Sequence, residues 1–247
     1  MHHSTQARPE DWAGPEPSVM RSLPARHRVK LVLHRGILSG AIPGGTRLVQ
    51  SSIAEELAVS TRPVRDALRE LAAEGFVRLD DRGAAVVHEL CWSDLEEIYQ
   101  IRMMLEPVAA ARAACHASEE DVLRAVGLLA AMETETDAAR WAEYNSGFHG
   151  LLDEAASSPR LVAILGNLRE LSALYIRHAI LTLPDRARQA SAEHEEILRA
   201  IIARDPSAAA DAAVRHLDGT LQALTMRRLG ARPGGARLAR LRARGRA

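Results

Sequence analysis

Residues 51–79 read SSIAEELAVSTRPVRDALRELAAEGFVRL, and this stretch decides how the first part of the chain folds. Apolar residues at helical spacing predict a short helix over 51–58, capped by Ser51 or Ser52. A second helix is predicted after the turn that follows, because Pro63 falls in its first turn, where a missing N–H costs nothing. Two short helices joined by a tight turn are the pattern of a helix-turn-helix.

The residues on either side complete a small domain. Upstream, apolar residues at helical spacing predict another helix over 26–38. Downstream, Gly75 ends the last helix, and two short strands over 76–79 and 84–87 flank a polar turn. Three helices followed by a β-hairpin predict a winged helix-turn-helix over 23–88, with its third helix in the major groove of DNA.

Basic residues favour DNA as the partner of this domain, although winged domains also serve as protein-interaction modules. Residues 21–88 hold 11 Lys and Arg against 7 Asp and Glu, and arginines cluster at the start of the third helix. Arg82 and Gly83 lie at the predicted tip of the wing. This distribution favours contact with phosphates and base edges of duplex DNA.

From residue 92 onward the apolar pattern is helical throughout. Six helices are predicted from the Ser, Asp and Pro punctuation, over 92–116, 119–136, 139–156, 159–181, 186–203 and 206–229. Their short connections predict an antiparallel bundle. The expected fold is therefore mostly α, with an N-terminal winged helix-turn-helix and a C-terminal all-α antiparallel helical bundle over 92–229.

Composition narrows the class of protein further. Aromatic residues make up only 3% of the chain, which argues against a base-stacking platform for single-stranded nucleic acid. Two cysteines, Cys91 and Cys115, are too few to stabilise a chain of 247 residues through disulfides, so both are interpreted as ordinary thiols. Residues 89–226 hold 12 basic against 22 acidic side chains, which predicts a different partner for this block.

The two ends of the chain lack apolar periodicity. Residues 1–22 contain three prolines and are expected to be disordered. Residues 230–247 are rich in Arg and Gly and contain Pro233, and we expect a disordered tail with incidental affinity for phosphates. The sequence contains no stretch of ~18 consecutive apolar residues, so we expect a soluble cytoplasmic protein.

Histidines in the helical block suggest a metal site. Asn145 and His149 are four residues apart and so project from one face of a helix. His194 and His216 fall on two later helices, each beside apolar residues. Three imidazoles and an amide oxygen suit a borderline divalent ion such as Zn²⁺ or Ni²⁺ and leave positions open for water or a carboxylate.

Spacing alone leaves alternatives open. The three histidines also fit separate surface or core positions, and spacing does not exclude His116 or His178. A histidine-bound ion with open coordination positions would also suit an enzyme. However, we find no residue at a spacing that would indicate a general acid or base. We therefore expect a protein that is not an enzyme.

Several motifs together resemble a known family. The stretches LSGAIPGGTRL, IAEELAVS and PVRDALR (38–48, 53–60 and 63–69) resemble the DNA-binding domain of the GntR family of bacterial transcription regulators. The later motifs IRMMLE, NSGFH, EH and HL (101–106, 145–149, 193–194 and 216–217) are similar to the FCD ligand-sensing domain of the FadR subfamily. The resemblance covers about residues 26–225.

The resemblance implies roles for single residues of the helical block. The metal ligands of the family correspond to Asn145, His149, His194 and His216. Arg102 corresponds to the arginine that helps to hold a small organic acid beside the metal, and its alternative is a helix-surface ion pair with Glu106. Many relatives have aspartate where this chain has Asn145, so we expect weaker metal binding and a stronger pull on an anionic effector.

The resemblance also implies an operator contact surface, whose residues correspond to Arg35, Thr61, Arg62, Arg65, Arg82 and Gly83. The family's usual Ser-Arg-Thr-Pro is Ser-Thr-Arg-Pro here, so the arginine stands one position later in the chain. Thr61 is therefore interpreted as a helix cap, and Arg62 as a contact to a base or phosphate from this shifted position. The family likeness predicts a homodimeric repressor that binds double-stranded operator DNA and responds to a small carboxylate metabolite. A regulator that senses the metal itself is the alternative, and a metal-dependent enzyme is a more distant one.

Overall fold

The computed structural model describes residues 23–80, 84–89, 91–180 and 184–228. The expectations for residues 1–22 and 230–247, and for Arg82 and Gly83, lie outside the described residues. The chain falls into two compact units. The first unit comprises the chain up to Ile98 together with Gly166–Ile176, and the second comprises Tyr99–Leu165 and the chain from Arg177 onward.

The first unit contains the predicted winged helix-turn-helix. Its elements in chain order are α1 (Ala25–Ser39), β1 (Arg47–Leu48), α2 (Gln50–Glu56), α3 (Thr61–Ala73), β2 (Val77–Leu79) and β3 (Ala85–Val87). The sheet is antiparallel in the order β1-β3-β2, and both β1 and β2 place an arginine opposite Val86. The sequence did not predict β1, because a two-residue strand is too short to show alternation.

Two predicted helix caps are wrong. Ser51 and Ser52 lie within the first turn of α2, whose N-cap residue is Val49. Thr61 is the first residue of α3 rather than its cap, and Ser60 occupies the N-cap position without a side-chain hydrogen bond. These four polar residues are exposed, so water is available to the first N–H groups and a side-chain cap is not required.

A left-handed residue forms the turn between α2 and α3. Ala58 has φ +50°, and its N–H and that of Val59 donate to Glu55 (3.2 Å) and Ala54 (2.9 Å). This pair of bonds is a Schellman motif, which normally has glycine at the left-handed position. The same motif ends α3, where Gly75 has φ +85°.

The core of the first unit explains why these elements fold together. Buried aliphatic residues from all three helices meet the inner side of the sheet and one aromatic ring; they include Val29, Leu33, Ile53, Val64, Leu68, Leu71, Phe76 and Val87. The buried residues of α3 leave its opposite face free for polar side chains.

The segment Gly166–Ile176 of the first unit packs against this core. Leu171 contacts the apolar cluster, and the Asn167 amide donates to the Glu74 carbonyl at 3.0 Å. The Tyr175 hydroxyl donates to the Cys91 carbonyl at 2.9 Å and accepts from the Cys91 N–H at 3.2 Å. The sequence pattern gave no sign of these contacts.

The six predicted helices of the second block are confirmed within about two residues at each described end. They are α4 (Trp92–His116), α5 (Glu119–Thr134), α6 (Ala138–Ala155), α7 (Pro159–Ile180), α8 (Pro184–Ile202) and α9 (Pro206–Arg228). Ser118 begins α5 with a capping box that includes Asp121. Within the described ranges, none of the helices combines the length and the apolar character that a membrane crossing requires.

The core of the second unit is built largely from small residues. Alanines from α4, α8 and α9 pack around Trp141, Phe148, Leu151 and Ile201. Small side chains let helices approach closely, so polar groups carried on their inner faces come within reach of one another. This close approach positions the site described next.

Candidate functional site

Three histidines converge inside the second unit. His149 lies on α6, His194 on α8 and His216 on α9, and their ring centroids are 4.5 to 5.0 Å apart. Each offers a ligand nitrogen, and these nitrogens all lie within 4.8 Å of one another. The exposed fractions are 6%, 0% and 6%, so the site is interior.

Apolar neighbours place these imidazoles inside the bundle. Phe148 is fully buried, and its ring centroid lies 4.9 Å from that of His194. Ile197 follows His194 on α8, and Leu217 follows His216 on α9; both are buried. Because buried residues recur at helical spacing, the histidines beside them face inward as well.

His194 has the environment of a metal ligand. Both of its ring nitrogens are buried, and neither has a hydrogen-bond partner among the described residues. Burial lowers the pKa of His194 well below its usual value, and the nearby His216 and Arg186 lower it further. Burying a neutral imidazole in an apolar interior costs free energy when its nitrogens make no hydrogen bonds. Coordination of a metal ion by one of these nitrogens would satisfy it. The triad therefore fits a divalent cation.

His216 is held by a carboxylate on the neighbouring helix. Its Nδ1 lies 2.7 Å from a Glu193 oxygen. Burial lowers the pKa of His216, although the Glu193 carboxylate opposes that shift. A neutral ring that donates through Nδ1–H leaves Nε2 available to a metal.

Glu193 is itself held by an arginine. The Arg186 guanidinium donates to both oxygens of the Glu193 carboxylate, at 2.8 and 2.5 Å, and only 6% of Arg186 is exposed. Burial alone would raise the pKa of Glu193, but hydrogen bonds from His216 and Arg186 lower it below the usual value. The carboxylate is therefore charged near neutral pH.

A buried ion pair lies on α4. The Arg102 Nε donates to Glu106 at 2.7 Å, and both side chains are almost fully buried. The alternative predicted from the sequence was an ion pair of these two residues on the helix surface. The pair does form, but in the interior of the unit. Glu106 raises the pKa of Arg102 although burial alone would lower it, and the Tyr99 ring lies 4.8 Å from the guanidinium carbon.

The structure distinguishes the remaining polar candidates of this block. Asn145 lies one turn before His149 on α6 and is partly exposed. His116 is exposed at the end of α4 and is not part of the triad, whereas the side chain of His178 lies outside the described ones. Sequence reasoning missed Arg186 and Asp153, which are both buried. Arg186 was detectable only from its seven-residue separation from Glu193, which places the two on one helix face.

Exposed cations lie on the outer face of α3. Arg62, Arg65 and Arg69 are exposed and form no ion pair with any residue in the described ranges. Arg62 and Arg65 fall in the first two turns, where the positive end of the helix dipole adds to their charge. Thr61 is exposed at the same end of the helix.

Two carboxylates at the C-terminal end of α3 are tied back to α1. Glu70 accepts from Arg26 at 3.0 Å, and the C-cap residue Glu74 accepts from Lys30 at 2.5 Å. The two ends of the helix therefore differ, with the unpaired Arg62 and Arg65 at the start and neutralised carboxylates at the end. Arg35 is partly buried on α1.

This fold and surface define a class of protein. A helix-turn-helix with a three-stranded wing, whose third helix presents unpaired arginines, is a DNA-binding module. The attached helical unit holds a buried triad of histidines that could hold a metal ion. The class is that of a DNA-binding transcription regulator.

The comparison with known proteins identifies the family. Residues 25–87 match the family described as bacterial regulatory proteins, gntR family, and residues 97–219 match the FCD domain. The chain belongs to the GntR family of bacterial regulators and has an FCD domain after its DNA-binding domain.

Curated relatives support this assignment. An uncharacterized HTH-type transcriptional regulator of Agrobacterium vitis, from the TAR-I ttuE-ttuC' intergenic region, is 30% identical over 55% of this chain and 85% of its own. The gluconate operon transcriptional repressor of Bacillus licheniformis is 29% identical over 69% of this chain and 70% of its own. A probable D-xylose utilization operon transcriptional repressor of Paenarthrobacter nicotinovorans is 29% identical over 76% of this chain and 83% of its own.

Solved structures share the fold. E. coli McbR/YncC superposes with a TM-score of 0.71 at 23% identity, covering 83% of this chain and 99% of that one. A GntR protein described as a putative transcriptional regulator from Rhodococcus sp. RHA1 superposes with a TM-score of 0.66 at 22% identity, covering 84% of this chain and 98% of that one.

Proposed function

We propose that this regulator is a homodimeric repressor whose operator affinity responds to a small carboxylate bound at a divalent metal in the FCD domain. The observation that carries the proposal is the buried triad of His149, His194 and His216. The relatives named as repressors support repression. A protein that binds an operator in a bacterium works in the cytoplasm, so the proposal includes that location.

The DNA-binding step rests on the outer face of α3. Arg62 and Arg65 are exposed and have no acidic partner in the described part of the chain, so their guanidinium groups are available to guanine edges or phosphates. Two copies would place two such helices in successive major grooves of a pseudo-palindromic operator. Thr61, Arg35, Arg82 and Gly83 complete the proposed contact surface.

The metal step rests on the chemistry of the donors. Imidazoles suit Zn²⁺ and Ni²⁺, and Asn145 would add a carbonyl oxygen from one turn before His149. All four donors are neutral, so a bound divalent ion would keep its positive charge inside the bundle. A buried charge of this kind requires an anion beside it. The site therefore favours an anionic effector.

The effector step rests on Arg102. Its guanidinium is buried and is oriented by Glu106, and Glu106 is near enough to His216 to influence its pKa. Arginine matches the planar geometry of a carboxylate, which makes it suitable to hold an organic acid beside the metal. One relative is named for the gluconate operon, and gluconate is a carboxylate.

Regulation follows from linkage. An acid that binds more tightly to the arrangement with low operator affinity shifts the population toward that arrangement, and coupling of this kind is typically ~1–3 kcal/mol. By the same linkage, operator DNA must weaken binding of the acid by an equal factor. We expect a 5- to 150-fold change in operator affinity, on the order given by that coupling.

The test starts from an operator selected by the protein from a random duplex library. Affinity for this duplex is measured by fluorescence anisotropy with metal-free protein, with Zn²⁺ or Ni²⁺, and with each metal plus a panel of carboxylic acids. The proposal expects one acid to lower operator affinity only when the metal is present. Arg102→Lys should weaken that response and leave the affinity without acid near the wild-type value.

Other outcomes would replace the proposal. A response to the metal alone, with no effect of any acid, would favour the metal sensor. Chemical turnover of the bound acid would favour an enzyme. Failure to select any operator would overturn the DNA-binding step, and light scattering that shows a monomer on and off DNA would overturn the dimer.

A further inference from the structure

We propose that Arg186 and Glu193 are positioning residues for His216: the buried Arg186 and the partly buried Glu193 form an ion pair that fixes which ring nitrogen His216 offers to the metal centre. The inference rests on the proposed function insofar as it assumes a metal at the triad. It assigns a role to two residues that would not themselves bind the metal.

The pair lies on one helix and holds residues of the next. Arg186 and Glu193 lie two turns apart on α8, whereas His216 and Thr220 lie on α9. Besides its two bonds to Glu193, the Arg186 guanidinium donates to the Thr220 hydroxyl at 2.7 Å. The Thr220 hydroxyl donates in turn to the His216 carbonyl at 3.1 Å. Arg186 therefore holds Glu193 and also fixes the turn of α9 that carries the histidine.

The carboxylate selects the tautomer of the ring. A Glu193 oxygen lies 2.7 Å from Nδ1 of His216, and a carboxylate held by arginine is an acceptor. The proton of neutral His216 is therefore on Nδ1, and the Nε2 lone pair is free. His194 differs, because neither of its nitrogens has a hydrogen-bond partner among the described residues.

A glycine on α9 reserves the space for the pair. A Cβ atom at Gly219 would lie 2.9 Å from a Glu193 oxygen and 3.8 Å from a terminal nitrogen of Arg186. Glycine inside a helix costs about 1 kcal/mol relative to alanine. The close approach gives a physical reason for glycine at this position.

Stability alone does not explain an ion pair whose arginine is buried and whose carboxylate is only partly exposed. Replacing such a pair by apolar side chains is often neutral or stabilising, because removing two charges from water costs as much as their attraction returns. The same two helices already carry a solvent-exposed pair, Arg215 and Glu196, with 3.0 Å between nitrogen and oxygen. A hydrogen-bonded partner that orients a ligand histidine typically contributes 10- to 100-fold to metal affinity.

The exposed pair gives a matched control for the experiment. Glu193→Gln and Arg186→Met are compared with Glu196→Gln and Arg215→Met in the full chain. Zn²⁺ affinity is measured by competition with a chromophoric chelator, and the ring tautomers are measured by ¹⁵N NMR of metal-free protein labelled at histidine.

We expect Glu193→Gln and Arg186→Met to lower Zn²⁺ affinity about 10- to 100-fold. In the same variants, the ¹⁵N signals of His216 should change from those of an Nδ1–H ring to those of a tautomer mixture. The control variants should stay within about twofold of wild type and keep the Nδ1–H signals. The double variant Arg186→Met/Glu193→Gln should be no weaker than the weaker single variant, since the two residues act as a unit.

Gly219→Ala keeps the inference testable if Arg186→Met does not fold, because it displaces Glu193 without removing a charge. Wild-type Zn²⁺ affinity and unchanged His216 signals in Glu193→Gln and Gly219→Ala would overturn the inference. If wild-type protein took up no Zn²⁺, the proposed function would fail at its metal, whereas the tautomer measurement would still decide whether the pair positions His216.

Discussion

Replacing His194 by leucine should stabilise the metal-free protein and abolish its response to metal. His194 is fully buried, and neither ring nitrogen has a hydrogen-bond partner among the described residues. Leaving a buried polar group unsatisfied costs about 1–3 kcal/mol. Leucine has a similar size and no polar atoms, so it removes this cost inside a contact shell formed by Phe148, His149 and His216.

The magnitude follows from two opposing terms. Removing the unsatisfied imidazole, counted as one polar group, gains about 1–3 kcal/mol, and repacking a swap of similar volume usually costs less than about 1.5 kcal/mol. We therefore expect a net gain of up to about 3 kcal/mol without metal. A metal at a thousand times its Kd would stabilise wild type by about 4 kcal/mol and the variant hardly at all. The order of stabilities should reverse between the two conditions.

The assay is thermal unfolding of His194→Leu and wild type, first in a chelator and then in excess Zn²⁺. A change of 1 kcal/mol shifts Tm by about 2–4 °C for a domain of 150–250 residues, so the reversal is measurable. His116→Leu is the matched control, because that histidine is exposed at the end of α4 and should show no reversal. The reasoning is refuted if the leucine variant is the less stable protein in chelator and wild type gains nothing from metal.

Three further perturbations test other parts of the structure. Ala58→Gly should raise the free energy of unfolding of the DNA-binding unit by about 0.5–1 kcal/mol, because glycine relieves a left-handed alanine; unchanged or lower stability in calorimetry would contradict the strain. Arg65→Ala should weaken operator binding by about 1–3 kcal/mol and relax preference at one base pair, as seen by gel shift on substituted duplexes. Arg26→Ala, which removes an ion pair on α1, is its control, and an equal loss in both variants would argue against a base contact. Arg102→Met should lower the free energy of unfolding by about 3–5 kcal/mol, measured with denaturant, because it leaves the buried Glu106 carboxylate without its cation. Arg102→Met/Glu106→Met should recover most of this loss. A double variant as unstable as the single one would refute that cause.

Local chemistry explains which parts of this protein were predictable. The six helices after residue 92 were located because apolar periodicity, Pro breaks and caps such as Ser118 act within a few residues of each other. The helix-turn-helix was predicted for the same reason. The first strand was not, because Arg47 and Leu48 become a strand only by pairing with β3.

Helix starts show a limit of local reasoning. Ser51, Ser52 and Thr61 are good capping residues, but none of them caps a helix here. Solvent satisfies exposed N–H groups about as well as a hydroxyl does, so the start of an exposed helix is only weakly specified by sequence. Ser118 at α5 is the contrasting case, with both halves of a capping box present.

The sequence by itself determined the winged helix-turn-helix, the helical block and the residue types of a metal site, because each depends on neighbours along the chain. Only the tertiary structure decided that His149, His194 and His216 share one buried centre, that Arg102 and Glu106 meet in the interior, and that Glu193 supports a histidine on another helix. A four-residue spacing is the same on a buried face as on an exposed one. Which face is buried depends on how distant helices pack, and close packing between them fixes the distances that make these side chains a site.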